Sequence, residues 1–167
     1  DAAGRPHISY SAPQGSGSVL KLASKLDSSW SSQTADPDAN VVGWTSLKLY
    51  KDEPRISYYD HSDFVEGRLK FAYRNGSVWT NQIVDEEYHV DIGWQTSLAL
   101  DADGKPRIAY LRYRNNANGD LRFIQGNGPS WSPFQMVASA TAFNPSLALD
   151  SNGAPHIAYS FYDSSGS

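Results

Sequence analysis

The 167-residue chain contains no cysteine, which excludes disulfide bonds, thiolate metal sites and a cysteine nucleophile. No apolar run approaches the ~20 residues of a membrane-spanning helix. No block of basic residues is present either: 14 Lys and Arg stand against 18 Asp and Glu, which argues against nucleic acid as a partner. No stretch combines a 3.6-residue apolar period with helix caps, so we expect almost no helix.

Aromatic residues are abundant, and one pattern recurs along the chain. Residues 97–110 and 146–159 are nearly the same sequence, Ser-Leu-Ala-Leu-Asp, then a Gly-containing turn, then Pro-x-Ile-Ala-Tyr. Looser copies place the same proline at spacings of 48, 52 and 49 residues, at Pro6, Pro54, Pro106 and Pro155. Repeats of 40 to 50 residues without amphipathic helices indicate four short strands per unit, which is the content of a β-propeller blade.

The best-preserved repeat predicts four strands over 96–101, 107–112, 120–125 and 130–138. An Asp-x-Asp/Asn-Gly turn joins the first two strands, with the glycine taking a positive φ. The connections on the opposite side are longer and irregular, over 60–66, 85–93, 112–118 and 138–144. We therefore expect one face of tight turns and one face of long loops.

Counting strands predicts an incomplete ring. The blades fall at about 1–40 without a first strand, 41–90, 91–140, and 141–167 with two strands only. Closed propellers usually have about 4 to 8 blades, so one chain should not close alone. We expect a homodimer of two half-propellers, in which 146–150 supplies the strand that the partner's first blade lacks. Six blades are expected and seven are the alternative, unless the chain is a piece of a longer propeller.

The repeats resemble blades of bacterial secreted or cell-surface β-propellers, loosely similar to the sialidase-like and BNR-like superfamily. The motif carrying the resemblance is that of residues 97–110, followed by Gly-Asp-Leu-x-Phe at 119–123 and a strand containing Trp131. The resemblance implies a propeller fold and a secreted or cell-surface location. The Asp-box of sialidases, Ser-x-Asp-x-Gly-x-x-Trp, is absent, so no catalytic residue is carried over.

Candidate ligand-binding residues lie on the loop-rich face, because variable loops on a rigid scaffold are where binding usually occurs. Aromatic rings that precede the first strand of three repeats could stack on the C–H face of a sugar, and polar groups beside them could bind its hydroxyls. The alternative is that these rings fill the junctions between blades. The candidates are Trp44, Trp94, Phe143, Asp60, His61, Asp63, Arg112, Tyr113 and Arg114.

Other conspicuous residues are expected to be structural. Trp30, Trp79 and Trp131 lie within strand patterns and should pack in the interior. Histidine and arginine alternate at one repeat position, which favours packing or hydrogen bonding over a metal site. These four are His7, Arg55, Arg107 and His156.

The expected function is a non-catalytic binding or scaffold module that recognises glycan or protein. A glycoside hydrolase or lyase is the main alternative, since loops 60–66 and 85–93 are acidic. A third alternative is an excised or engineered propeller fragment without evolved activity. No metal site or other cofactor is indicated.

Overall fold

The computed structural model describes residues 1–40, 43–63, 66–114, 117–139 and 142–161, with backbone alone at 62, 63, 66, 114, 117 and 118. All regular secondary-structure elements in these ranges are β-strands, and all paired strands are antiparallel. The prediction of an all-β chain is confirmed. None of the described residues belongs to a helix that could cross a membrane.

The described strands form four sheets, each built from strands consecutive in sequence. The first sheet consists of β1 (His7–Gln14), β2 (Gly17–Leu26) and β3 (Ser29–Asp36). The second consists of β4 (Ser46–Tyr50), β5 (Glu53–Asp63), β6 (Glu66–Asn75) and β7 (Val78–Asp85). The third consists of β8 (Asp91–Leu100), β9 (Pro106–Arg114), β10 (Ala117–Gln125) and β11 (Gln135–Ala138). The fourth consists of β12 (Ala142–Leu149) and β13 (Pro155–Phe161).

The tight turns between first and second strands follow the prediction. Asp101 Oδ1 accepts hydrogen bonds from the backbone N–H groups of Asp103 and Lys105, and Gly104 has φ +77°. Asp150 makes the same turn. A carboxylate that accepts local N–H groups holds the backbone in a turn, and glycine takes the left-handed conformation without a steric penalty.

The loops were predicted to be longer than they are, because strands occupy most of those residues. β5 and β6 remain paired as far as Asp63 and Glu66, past a register shift after Asp60 that lets the ladder continue. Likewise β8 begins at Asp91, not near residue 96, and pairs there with Tyr113. The loop-rich face is thus built largely from bulged strand ends, which hold side chains more firmly than open loops do.

The fourth strand of the third sheet is shorter than expected. The sequence pattern predicts it over 130–138, whereas β11 spans only Gln135–Ala138. Trp131 makes a single isolated bridge to Gly126. Pro133 lies between that bridge and β11, and proline cannot donate a ladder hydrogen bond.

Neighbouring sheets pack face to face, with one hydrophobic cluster at each of three junctions. Ile56 and Tyr58 of the second sheet are buried against Leu20 of the first. The second junction buries Leu69, Phe71, Ile108 and Tyr110, among others. The third joins β9 and β10 to Leu147 of β12. The core is therefore a series of layers, and the first and fourth sheets are its two ends.

The three repeated tryptophans differ in burial because of this layered arrangement. Trp79 Nε1 donates to Gln33 Oε1 of the preceding sheet at 3.1 Å, and Trp131 Nε1 donates to Gln82 Oε1 at 3.3 Å. Trp30 belongs to the first sheet, which has no preceding sheet in this chain, and it is 50% exposed. The expectation of an interior position therefore fails for Trp30.

Candidate functional site

The backbone entering the first strand of each repeat has a left-handed residue at one fixed place. Trp44, Gln95 and Asn144 have φ of 55°, 49° and 52°, and each lies three residues before the leucine of the Ser-Leu motif. The ladders of β8 and β12 shift register at these residues. Trp44 is therefore the counterpart of Gln95, whereas Trp94 and Phe143 each lie one residue earlier in their repeats.

Four rings meet at the junction of the second and third sheets, and we call Trp44, Tyr59, Trp94 and Tyr113 the aromatic cluster. Trp44 and Trp94 stack with ring centroids 4.2 Å apart. Tyr59 meets both edge-on, at 5.7 and 5.8 Å, and Tyr113 lies 5.0 Å from Trp94. Tyr59 is buried, whereas the other three rings are half-buried. The cluster thus presents partly accessible aromatic surface supported by a fixed buried ring.

Two glycines at equivalent positions make room for these rings. A Cβ on Gly67 would overlap the Tyr59 ring, and a Cβ on Gly119 would lie 3.0 Å from Cε2 of Tyr113. The rings therefore lie directly on the backbone of the third strand of each sheet. Close approach of this kind requires glycine in the strand.

The polar groups of the cluster are also held in place. The Tyr59 hydroxyl donates to Asp91 Oδ1 at 2.6 Å. Burial, together with this hydrogen bond, raises the pKa of Tyr59 above its usual value, so the phenol stays protonated. The indole Nε1 of Trp94 is buried and has no acceptor among the described residues. His61 lies beside Tyr59, with ring centroids 6.1 Å apart.

Asp60 lies in a buried ionic network, away from open solvent. Its side chain is 2% exposed, and it lies 3.1 Å from Nζ of Lys70. Lys70 also donates to Asp36, which accepts a second hydrogen bond from the buried Tyr58 hydroxyl at 2.6 Å. Burial alone would raise the pKa of Asp36, but the hydrogen bonds from Lys70 and Tyr58 outweigh it and lower that pKa. This network joins the first and second sheets.

Arg112 occupies the corresponding network one junction further on. Its Nε donates to Glu87 Oε2 at 2.8 Å, and a second nitrogen of the guanidinium contacts the other carboxylate oxygen. Asp120 and Arg122 complete the group. The hydrogen bonds from Arg112 lower the pKa of Glu87 to about 2. Asp60 and Arg112 therefore already serve as links between sheets.

The remaining candidates are distributed differently. Phe143 packs against the third hydrophobic cluster together with Trp94 and Tyr113, at the junction of the third and fourth sheets. The side chains of Asp63 and Arg114 lie outside what the structure describes. The structure thus groups Trp44, Trp94, Tyr113 and His61, and places Phe143 one junction away.

Sequence reasoning missed Tyr59 and the role of Asp91. Tyr59 follows the repeated Tyr58 directly, where the next repeat has Leu111, and a strand glycine follows at Gly67. This departure from the repeat was the available signal, because a polar aromatic in place of a core leucine is unexpected. Asp91 stood within an acidic run assigned to a loop, so its pairing with Tyr59 was not foreseeable.

The alternating arginine and histidine of the repeat lie at the turn face. Arg107 Nη2 lies 2.8 Å from Asp101 Oδ2, and His7 Nε2 lies 3.2 Å from Asp1 Oδ2. In the first and third sheets this side chain fastens the second strand to the turn before it. Within the ranges that the structure describes, no group of three or more acidic or histidine side chains could hold a metal ion.

Comparisons with known proteins give likeness in structure and no match in sequence. No family model matches the chain, and no curated protein matches it. Among solved structures, the chain is similar to a fucose lectin from Kordia zhangzhouensis, solved in complex with methyl-fucoside. The TM-score is 0.55 at 14% sequence identity, and the match covers 83% of this chain and 96% of that chain. At that identity the likeness shows a shared all-β fold of antiparallel sheets.

Proposed function

We propose that this protein is a non-catalytic glycan-binding module whose site is the aromatic cluster at the junction of the second and third sheets. The observation that carries the proposal is the half-buried Trp44–Trp94 stack, held by Tyr59 and flanked by Asp91 and His61. Flat apolar surface suits the C–H face of a pyranose, and adjacent polar groups suit its hydroxyls. Similarity in fold to a fucose lectin supports the same reading.

The carboxyl groups argue against the glycosidase alternative. A glycosidase needs a general acid whose pKa is raised. On the described part of this face, neighbouring cations act in the opposite direction on two carboxyl groups: the pKa of Glu87 falls to about 2 and that of Asp36 falls as well. Carboxylates held ionised by Arg and Lys are suited to structural links, and the proposal accordingly assigns no catalytic residue.

The proposal includes a β-propeller completed by self-association of two chains. Side chains that are buried in the middle sheets are exposed at the ends of this chain. Ile8 is 51% exposed, whereas its counterparts Ile56 and Ile108 are fully buried. A second copy would cover such residues with the same repeat surface that covers them internally. A secreted or cell-surface location is part of this proposal, and it fits a glycan-binding role.

The glycan proposal is tested by titrating the protein with methyl-fucoside and following tryptophan fluorescence and calorimetric heat. We expect saturable binding that weakens by roughly tenfold or more in Trp94→Ala, since one stacking ring contributes on the order of 1 to 2 kcal/mol. A glycan array run in parallel would identify the preferred sugar if it is not fucose.

The matched control is Tyr88→Ala. Tyr88 is 73% exposed, and its ring contacts only His89 among the described aromatic residues. We expect this variant to bind as the unmodified protein does. Loss of binding in Tyr88→Ala with retention in a folded Trp94→Ala would place the site elsewhere, and absence of binding to every glycan would contradict the proposal.

A further inference from the structure

Two similar cavities lie on the turn face, one at each junction around the third sheet. The first, of about 380 Å³, lies between the second and third sheets and is lined by Arg55, Phe71, Tyr73 and the turn 103–106. The second, of about 390 Å³, lies between the third and fourth sheets and is lined by Asp101, Arg107 and the turn 150–153. Both fall within the size range of small-molecule sites.

The two cavities share an arginine at the same repeat position and in the same orientation. Arg107 Nη1 donates to the carbonyl oxygens of Pro106 and Gly126, both at 3.2 Å. Arg55 Nη1 donates to the equivalent carbonyls, of Pro54 at 3.1 Å and of Arg74 at 2.7 Å. The backbone therefore fixes both guanidinium groups in the same way.

The two cavities differ in the group that lies beside Nη2 of that arginine. Arg107 Nη2 is paired with Asp101 Oδ2 at 2.8 Å. The second sheet has Tyr50 where the third has Asp101, and the Tyr50 ring packs against Gly104. Within the described part of the chain, no carboxylate forms an ion pair with Arg55.

The nearby acids are paired with other cations, although the charge of Glu53 also acts on this guanidinium. Glu53 pairs with Arg74 Nε at 3.0 Å, and Asp103 lies 3.5 Å from Lys105 Nζ. The first cavity therefore contains a partly buried cation in excess, while the second contains an excess of carboxylates. Burial lowers the pKa of Arg55 by more than the charge of Glu53 raises it. Arginine nevertheless stays charged in proteins.

The walls of the first cavity add apolar surface. Phe71, Tyr73 and Pro106 line it, and the Arg55 guanidinium carbon lies 5.5 Å from the Tyr73 ring centroid. A ligand there would meet rings on one side and a cation on the other. Such a surface suits a molecule that carries both an apolar ring and one negative charge.

We propose that the cavity between the second and third sheets binds a small ring-bearing carboxylate, whose anionic group occupies, at Nη2 of Arg55, the place that Asp101 occupies at Arg107. This site lies on the face opposite the aromatic cluster and is independent of glycan binding. The repeat supplies the binding geometry, and replacement of Asp by Tyr50 leaves the arginine available to a ligand carboxylate.

The proposal is tested with benzoate, followed by ¹⁵N–¹H chemical shifts and calorimetry on the intact chain. We expect saturable shifts at residues 103–105 and 73, and affinity that falls with added salt. Benzamide, the neutral counterpart, should bind at least roughly tenfold more weakly, because it lacks the charge-assisted hydrogen bond. Acetate should also bind more weakly, since it lacks the ring.

Two substitutions at one position separate charge from shape. Tyr50→Asp restores the carboxylate of the other repeats and should reduce benzoate affinity by roughly tenfold or more. Tyr50→Asn removes the same ring without adding charge and should bind benzoate more tightly than Tyr50→Asp by that factor. Both variants keep Arg55 and its backbone contacts.

Any one of four results would overturn the proposal. Three are equal binding of benzoate and benzamide, equal affinity of the Asp and Asn variants, and shifts centred on residues 150–153 of the second cavity. Absence of saturable shifts up to millimolar benzoate would overturn it as well. Methyl-fucoside binding is measured on the same samples, so failure of one proposal is distinguishable from failure of the other.

Discussion

At the scale of the residue, the sheets are joined by small polar contacts that repeat along the chain. Ser46 Oγ accepts from the backbone N–H of Leu98, and Ser97 Oγ accepts from that of Leu147, both at 3.0 Å. These serines belong to the repeated Ser-Leu motif, and their bonds cross from one sheet to the next. The Ser-Leu motif therefore forms a contact between sheets as well as part of a strand.

A second contact between sheets joins two hydroxyl side chains, and both residues differ together from one junction to the next. Ser9 contacts Thr45 at 2.8 Å, and Thr96 donates to the buried Ser57 at 2.8 Å. At the third junction the same two repeat positions carry Ala109 and Pro145, neither of which has a side-chain hydroxyl. Both hydroxyls are present or both are absent, as expected if an unpaired buried hydroxyl is costly.

We expect Thr96→Val to lower the free energy of unfolding by about 1 to 2 kcal/mol, because Ser57 then loses its partner while fully buried. Adding Ser57→Ala should restore part of the loss. Urea unfolding of both single variants and the double variant measures the coupling. Strictly additive losses would show that the two hydroxyls do not act as a pair.

At the scale of the element, the first and second junctions each carry an ionic network on the side opposite the tight turns. Glu87 follows β7 and contacts Arg112 of β9 and Arg122 of β10. It thereby ties the connection between two sheets to the third sheet. Asp36, the last residue of β3, does the same with Lys70 and Tyr58 of the second sheet. Residues at or just beyond the end of the last strand of a sheet thus determine how the next sheet docks.

The free energy of unfolding should fall in acid as Glu87 becomes protonated. Its pKa is about 2 in the folded protein, against an ordinary value of 4.5, so the unfolded chain binds more protons between these values. The stabilisation is complete above about pH 4.5 and is lost as the pH falls towards 2. Urea unfolding between pH 6 and pH 2, at low salt, measures this dependence.

The variant Glu87→Gln should show a weaker pH dependence than the unmodified protein. Glu86→Gln is the matched control, because Glu86 is its neighbour but is half-exposed and pairs with Arg68 at 2.9 Å. It should retain most of the dependence. A Glu87→Gln protein whose stability falls with acid as steeply as before would exclude Glu87 as the responsible group.

At the scale of the whole molecule, the two ends of the chain present surfaces that match the inner junctions. At an inner junction, a tryptophan of one sheet donates to a glutamine of the preceding sheet. Trp30 is such a tryptophan without a preceding sheet, and Gln135 occupies the glutamine position of the third sheet. Exposed apolar residues lie beside Gln135, at Met136 and Val137. A second copy could supply each end with its missing neighbour.

Light scattering should therefore give a particle of twice the 18.4 kDa chain mass at micromolar concentration. Trp30→Ala should raise the dimer dissociation constant by roughly tenfold or more, as expected for a buried aromatic at an interface. Val78→Ala is the control, because Val78 is 64% exposed on the outer strand of the second sheet. A stable monomer for the unmodified chain would contradict self-association.

Much of the fold could be predicted because the informative patterns are local. Alternation around Leu98, Ile108 and Leu121 specifies strands, and an Asp with a following Gly specifies the turn between two of them. Such signals need only a few consecutive residues. They failed where a bulge or a proline altered pairing, as at Asp60 and Pro133. These interruptions depend on how two strands match, which one strand does not reveal.

The candidate site depended far more on tertiary contacts. The sequence by itself determined the repeat, the all-β class and the presence of aromatics near the strand entrances. Only the tertiary structure decided that Trp44 stacks on Trp94, fifty residues away, and that Tyr59 binds Asp91. It also decided that, among the described residues, Arg107 forms an ion pair with a carboxylate while Arg55 does not. The physical reason is that strand periodicity is set by the backbone, whereas a site is set by which side chains two separate sheets bring together.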